Sequence, residues 1–349
     1  METAIMFKIG LLSIISFLVA FFATPLLTHF LFKKKFGKQI RDSKSAPIFA
    51  ALHKQKAGTP TMGGILIWGT VLVISLIFAA LAYFAPDTFF EKLNFLTREQ
   101  TLLPLGALIF TAIIGLVDDY LGVRKIGPKG GGLNVGYKLV LYTLIAAIGA
   151  VWFYFKLDWD VFHVPFIGNF EIGLWYIPIF ILVLVATSFS VNEIDGLDGL
   201  AGGTVAAVLA AQGAIAFTQG KFELAAFIGV LIGALIAFLW FNINPARFFM
   251  GDTGSMSLGI TIGIIAMLTN TALLLPIIGF IFVIESLSVI IQLLSKKFRH
   301  KKVFLSAPIH HHFQAKGWTE PKVVMRFWLI SAVSAVAGVI IFLMDKGWY

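Results

Sequence analysis

The chain has 349 residues, 58% of them hydrophobic and 13% charged, with a mean hydropathy of +0.91. Soluble domains carry about 45–50% apolar and about 25% charged residues, so too few charges remain here to clothe one core in water, and 35 Phe with 8 Trp equally exclude a disordered chain. Cysteine is absent, which removes disulfides, thiolate nucleophiles and Cys-ligated metals, and the net charge of +9 reads as membrane topology rather than affinity for nucleic acid.

A helix needs about 20 apolar residues to cross the hydrocarbon layer. In chain order the candidates are 9–32, 62–84, 102–117, 137–157, 173–191, 199–217, 222–241, 257–269, 271–294 and 323–344. The fold class expected is therefore an all-α integral membrane protein with about ten transmembrane helices in one polytopic domain. The first segment is too long for a cleavable signal peptide, and Lys33, Lys34 and Lys35 follow it as a stop to translocation. Both termini are then expected on the outer side. The cytoplasmic loops become 33–61, 118–136, 192–198, 242–256 and 295–322, and with Lys138 and Arg326 at span ends they hold 21 of the 27 Lys and Arg. The outer side keeps only Lys8, Lys92, Arg98, Lys156, Lys221 and Lys346. That asymmetry supports the orientation. On the outer side, 158–173 alternates and contains a Gly-Asn pair, which predicts a short surface hairpin.

Acidic residues are scarce, and six of the eight cytoplasmic ones fall in three short loops at helix ends. Asp118-Asp119 ends the third span. Charge at mid-bilayer costs about 2.5–3.5 kcal/mol, and a span's end escapes much of that, so the pair is open to two readings: an interfacial helix cap, or a divalent-metal or general-base site. The second cluster, Asn192 to Leu200 (NEIDGLDGL), places Asp195 and Asp198 on one face if helical, with Gly196 permitting close backbone approach. Three acids exceed what a plain turn requires. The third, Phe241 to Ser255 (FNINPARFFMGDTGS), offers free amides and hydroxyls suited to phosphate around Asp252, and equally an ordinary helix start.

Basic residues supply the counterpart. Lys54, Lys56 and AGTPTMGG at 57–64 open the second span, and the last cytoplasmic loop ends in APIHHHFQAKGW at 307–318. Topology and anionic lipid explain most lysines. His310, His311 and His312 are either a loop accident or partners for phosphate and carboxylate. Glu285, inside the ninth span, is either functional or a buried packing residue without a visible basic partner. Together these groups suit Mg²⁺-dependent transfer of a phosphorylated head group onto a lipid at the cytoplasmic face.

On DD at 118–119, DGLDGL at 195–200 and the GD loop at 251–252, the sequence resembles the polyprenyl-phosphate N-acetylhexosamine-1-phosphate transferases. AGTPTMGG, FFMGDTGS at 248–255 and APIHHHFQAKGW followed by VVMRFW make it similar to their phospho-N-acetylmuramoyl-pentapeptide transferase branch, the lipid I synthases. The resemblance covers nearly the whole chain. It implies transfer of phospho-MurNAc-pentapeptide from UDP-MurNAc-pentapeptide to undecaprenyl phosphate with release of UMP, in a multi-pass protein of the bacterial inner membrane whose site faces the cytoplasm. It implies Mg²⁺ on Asp252, and catalytic roles for Asp118, Asp119 and Asp252, with Asp118 the base toward the lipid phosphate. Lys56, Thr61, Asn192, Asp195, Gly196, Asp198, Asn242 and Phe249 match positions around the nucleotide. Lys138, His310, His311 and His312 match groups near the diphosphate and the muramoyl part. Membrane lipids are further partners, nucleic acid is not expected, and a homodimer is admitted.

Two departures stand out: Glu193-Ile194 replaces the more usual Leu-Thr, and the stretch 43–56 before and around His53 is longer than usual. The rival readings are a sibling transferase using UDP-GlcNAc, which lacks the histidine loop, and a secondary transporter built on Glu285.

Overall fold

The structure, a computed structural model, describes residues 2–37, 56, 58–98, 100–127 and 131–347. The long loop around His53 lies outside the described residues.

Helices form where the hydropathy predicts, because a backbone in lipid must satisfy its own hydrogen bonds. In order they are α1 (Glu2–Lys33), α2 (Gly64–Phe84), the short α3 (Phe89–Lys92), α4 (Leu102–Val123), α5 (Val135–Lys156), α6 (Tyr176–Ile194), α7 (Leu200–Thr218), α8 (Phe222–Asn242), α9 (Asp252–Leu268), α10 (Leu275–Ile278), α11 (Phe280–Arg299), α12 (Ile309–Ala315) and α13 (Glu320–Asp345). Among the described residues, eight helices are long and apolar enough to cross a membrane, and 272–278 with 280–299, bent by 84° at the break between them, make a ninth when counted as one span. The eighth predicted span is α9, only 17 residues long. At about 25 Å it is shorter than a bilayer core, and it has no lipid to face: every residue from Thr253 to Leu268 is buried.

Small residues let neighbouring helices close onto α9. A Cβ on Gly259 would lie 2.6 Å from Ser188 Cα of α6, and one on Gly263 would lie 2.7 Å from the Thr187 hydroxyl. Gly64 of α2 meets Gly254, and Gly115 of α4 meets the Asp252 backbone. This is how transmembrane helices gain contact when lipid is as apolar as leucine. Its consequence is positional, since α2, α4 and α6 all deliver their ends to the start of α9.

Three expectations need correction. The third span does not stop at Val117 but runs to Val123, so Asp118 and Asp119 belong to a helix rather than a loop. The ninth does not run straight from 271 to 294 but breaks at Gly279 and continues to Arg299. The hairpin forms, β1 (Val161–Val164) antiparallel to β2 (Gly168–Glu171), yet Gly168 and Asn169 pair with Val164 and His163, and the turn is 165–167. Phe166, at φ 65°, carries the reversal that the Gly-Asn pair was expected to make.

The start of α1 and the end of α13 lie at one end of the bundle. Lys8 of α1 pairs with Glu223 at the start of α8 at 2.7 Å, and Asp345 at the end of α13 pairs with His163 of the hairpin at 2.7 Å. The acidic loops gather at the opposite end.

Candidate active site

The start of α9 is the organising point. Gly251 precedes it at φ 74°, where a Cβ would strike the Asp119 carboxylate and lie 2.7 Å from the Thr61 hydroxyl, so only glycine fits. Asp119 then caps the helix: its carboxylate accepts from the Thr253 amide at 3.1 Å and from Thr61 at 3.3 Å. A carboxylate at a helix N-terminus satisfies orphan amides and complements the dipole. Asp119 thus fixes the backbone from which Asp252 projects.

Asp118, one residue earlier on α4, turns elsewhere. It accepts from the Leu133 amide, and its other oxygen lies 2.8 Å from the Lys138 ammonium. The same ammonium bonds Asp252. Asn192 of α6 donates to the second Asp252 oxygen at 2.8 Å and reaches Ser255 at 2.9 Å. Two carboxylates from different helices therefore converge on one cation, with an amide fixing the second.

That geometry fits a divalent ion by the chemistry of its donors. Carboxylate oxygens are hard ligands, and the Lys138 ammonium shows that Asp118 and Asp252 can share one positive centre. Among the described residues no three His, Asp or Glu are grouped to hold a metal. Such a donor set matches Mg²⁺, which takes few protein ligands and completes its shell with water and substrate phosphates.

A second cluster is built on Lys56. Its ammonium lies 2.6 Å from Asp198 and 2.5 Å from Glu320, and 5.9 Å from the centre of the Phe249 ring. Asp198 also accepts from Asn244 at 3.0 Å and the Ala246 amide at 3.1 Å. Asn242 ties the loops together, accepting from the Gly199 amide at 2.9 Å and donating to the Phe248 carbonyl at 2.8 Å. Asp195 accepts from the Gly251 amide at 3.2 Å, linking this cluster to the first. Asp195 and Asp198 do not share a helical face, because α6 ends at Ile194 and the segment to Gly199 turns.

The three histidines separate. His310 and Glu285 are both fully buried, with His310 Nδ1 3.0 Å from the Glu285 carboxyl. The Glu285 carboxyl also faces the Ile309 and His310 amides, beneath the start of α12. His310 Nε2 has no hydrogen-bond partner among the described residues and points at Gly196, where a Cβ would sit 2.5 Å from it. Burial holds the His310 imidazole down to about 3, aided by the Lys56 charge, so it is neutral at working pH. His311 stacks edge-on against His310 with centroids 4.0 Å apart and pairs with Gln314 at 2.9 Å. His312 instead accepts from the Leu305 amide at 3.1 Å, which makes it a clasp on the 303–305 segment.

Sequence reasoning missed Glu320 and Asn244, which hold Lys56 and Asp198, and Ser255, which steadies Asn192. Glu320 left a signal: with Asp42 it was one of two acids expected on the cytoplasmic side but outside the three loops. Sequence reasoning also left Glu285 without a visible partner; the neutral His310 imidazole is its hydrogen-bond partner.

A family model for glycosyl transferase family 4 matches residues 101–270, and a signature of phospho-N-acetylmuramoyl-pentapeptide-transferases matches 56–67. Proteins named phospho-N-acetylmuramoyl-pentapeptide-transferase are similar over most of the chain. One from Chloroflexus aggregans is 37% identical over 342 residues, covering 94% of this chain and 88% of its own. One from Bacillus anthracis is 40% identical over 332 residues, covering 94% and 95%. One from Chloroflexus aurantiacus is 38% identical over 320 residues, covering 88% and 82%.

Proposed function

The chain belongs to the phospho-N-acetylmuramoyl-pentapeptide-transferase family, a family of membrane-embedded glycosyl-1-phosphate transferases, and from that premise we propose that it moves phospho-MurNAc-pentapeptide from UDP-MurNAc-pentapeptide to undecaprenyl phosphate. The products are lipid I and UMP. The observation that carries this reading is the convergence of Asp118, Lys138, Asp252 and Asn192 at helix ends, where a water-borne diphosphate and a lipid phosphate can meet. The reaction is Mg²⁺-dependent: Asp252, with Asp118 beside it, would hold the ion, which neutralises charge on the reacting phosphates.

The lipid phosphate is the nucleophile. One of its oxygens attacks the β-phosphorus of the UDP-sugar, the bond from that phosphorus to the UMP oxygen breaks, and UMP departs with the bonding pair. Asp118 takes the proton from the lipid phosphate when it arrives protonated. Asp119 is a positioning residue acting through α9. Lys138 offers its ammonium to the diphosphate, and His310 and His311 serve the muramoyl part, with Gly196 between them and the nucleotide. Lys56, Asp198, Asn242 and Phe249 surround the nucleotide, with Phe249 giving uracil an aromatic face. Phosphoryl transfer between anions depends on alignment and charge compensation more than on covalent chemistry. The acidic end faces the cytoplasm of the bacterial inner membrane, where the UDP-sugar is made and where most Lys and Arg fall.

The deciding assay offers UDP-MurNAc-pentapeptide and UDP-GlcNAc separately with undecaprenyl phosphate and Mg²⁺ to the purified full chain. UMP release and lipid labelling are expected from the muramoyl substrate. Incorporation from UDP-GlcNAc alone would overturn the assignment.

A further inference from the structure

At the end of the bundle opposite the acidic site lies a cavity of about 440 Å³, lined by residues including His163, Gln219, Lys221, Asn270 and Lys346. It draws on the hairpin, the α7–α8 turn, the end of α9 and the last turn of α13. The sorting of charge along the chain makes its lysines unusual. Only six Lys and Arg fall outside the cytoplasmic loops, and two of them, Lys221 and Lys346, meet here. Orientation does not call for positive charge at this end.

Among the described residues neither lysine makes an ion pair. Lys8, by contrast, is neutralised by Glu223 at 2.7 Å. Asp345, next to Lys346 in the chain, is engaged: it pairs with His163 Nε2 at 2.7 Å and accepts from the Phe166 amide at 2.6 Å. His163 Nδ1 is taken by Asn169 at 2.7 Å. Lys221 donates to the Leu268 carbonyl and stands 5.4 Å over the Trp159 ring, so its direction is fixed but its charge is not balanced. Burial and the charge of Lys346 together push the Lys221 ammonium down to about 8. A bound anion would reverse that repulsion.

A second polar feature narrows the occupant. The Gln219 amide donates to the Thr269 carbonyl at 2.8 Å, while its carbonyl oxygen is buried without a partner among the described residues. An orphan acceptor beside two ammonium groups suits a ligand with both an anionic oxygen and a hydroxyl. The hairpin tip nearby exposes Phe166 at 63% and Ile167 at 72%, apolar surface of the kind that seats at a lipid headgroup boundary.

We propose that this cavity binds the phosphate of an acidic phospholipid headgroup, with Lys221 and Lys346 holding the phosphate and Gln219 accepting from a headgroup hydroxyl. The site stands at the far end of the bundle from the transfer chemistry, and its test is independent of the activity assigned above. Phosphatidylglycerol is the probe, titrated into the full chain in detergent and read as bound lipid by native mass spectrometry. Phosphatidylcholine and inorganic phosphate form the parallel arms. The expected result is binding of phosphatidylglycerol above phosphatidylcholine, weakened about fivefold by Lys346→Gln with UMP release unchanged. Lys221→Gln should weaken it further; if that variant does not fold because the Leu268 carbonyl is orphaned, the exposed Lys346→Gln carries the test alone. Equal binding in wild type and Lys346→Gln, or no preference over phosphatidylcholine, overturns the site. Inorganic phosphate that displaces the lipid at millimolar concentration and shows the same Lys346 dependence overturns the lipid as occupant.

Discussion

Truncating Glu285 should slow the enzyme although it touches none of the paired carboxylates. Glu285→Ala leaves His310 Nδ1 without a partner at a position with no solvent exposure. An orphaned buried polar atom costs about 1–3 kcal/mol, and the penalty falls on the conformation that points His310 Nε2 at Gly196. The population of that conformation, and with it kcat for UMP release, should drop between about 5- and 150-fold. Glu285→Gln keeps the shape and offers an amide oxygen or an amide N–H to the same nitrogen, so it should stay within about fivefold of wild type. The assay is kcat and KM for UMP release on variants that elute as folded protein. Wild-type kcat in Glu285→Ala would refute the positioning argument. Equal loss in Ala and Gln would also refute it, because charge rather than placement would then be what matters.

Lys138→Met leaves Asp118 and Asp252 facing each other without their shared cation. Breaking such a buried charge cluster costs about 2–5 kcal/mol, so kcat/KM for UMP release should fall about 30-fold or more, and a loss under threefold would refute the cluster's role. His310 makes stability pH-dependent with a defined sign. Its folded value near 3 lies below the ordinary 6.5, so below about pH 6.5 the unfolded chain binds a proton that the folded chain does not. Stability should be fully present above that pH and fall by up to about 1.4 kcal/mol for each unit below it. Thermal unfolding between pH 7.5 and 4.5 should show a shallower decline in His310→Asn, and identical slopes would refute the assignment.

What the order of residues exposes, and what it hides, follows from the range of each force. Hydropathy is local, so span positions emerge from windows of about 20 residues, and α1, α2, α6 and α8 appear close to where they were expected. Helix ends are not local. α4 continues through Asp118 and Asp119 because Leu133, Lys138 and Thr253 supply partners that no window around residue 118 contains. The partner of Glu285 was hidden for the same reason. His310 lies 25 residues away, and the chain returns it only after α11 ends and His300 reverses direction at φ 54°. The hairpin shows the limit of turn signals, since Gly-Asn was read as the reversal and became the first two residues of the returning strand.

Charge scarcity is the thread that connects both ends of the molecule. In a chain with 13% charged residues, a charge near the bilayer must orient the protein, pair with another charge, or await a ligand. At the acidic end the first two explanations absorb most lysines, while Lys56 and Lys138 are each gripped by two carboxylates from separate segments of the chain. Holding two charged loops on one flexible ammonium costs side-chain entropy and desolvation that simple orientation does not require. The same elimination applied to the opposite end leaves Lys221 and Lys346, which do not orient the chain and, among the described residues, form no ion pair. Function is therefore legible at the residues that the membrane's own rules fail to explain, and those rules act on nothing more than the order of charged and apolar residues along the chain.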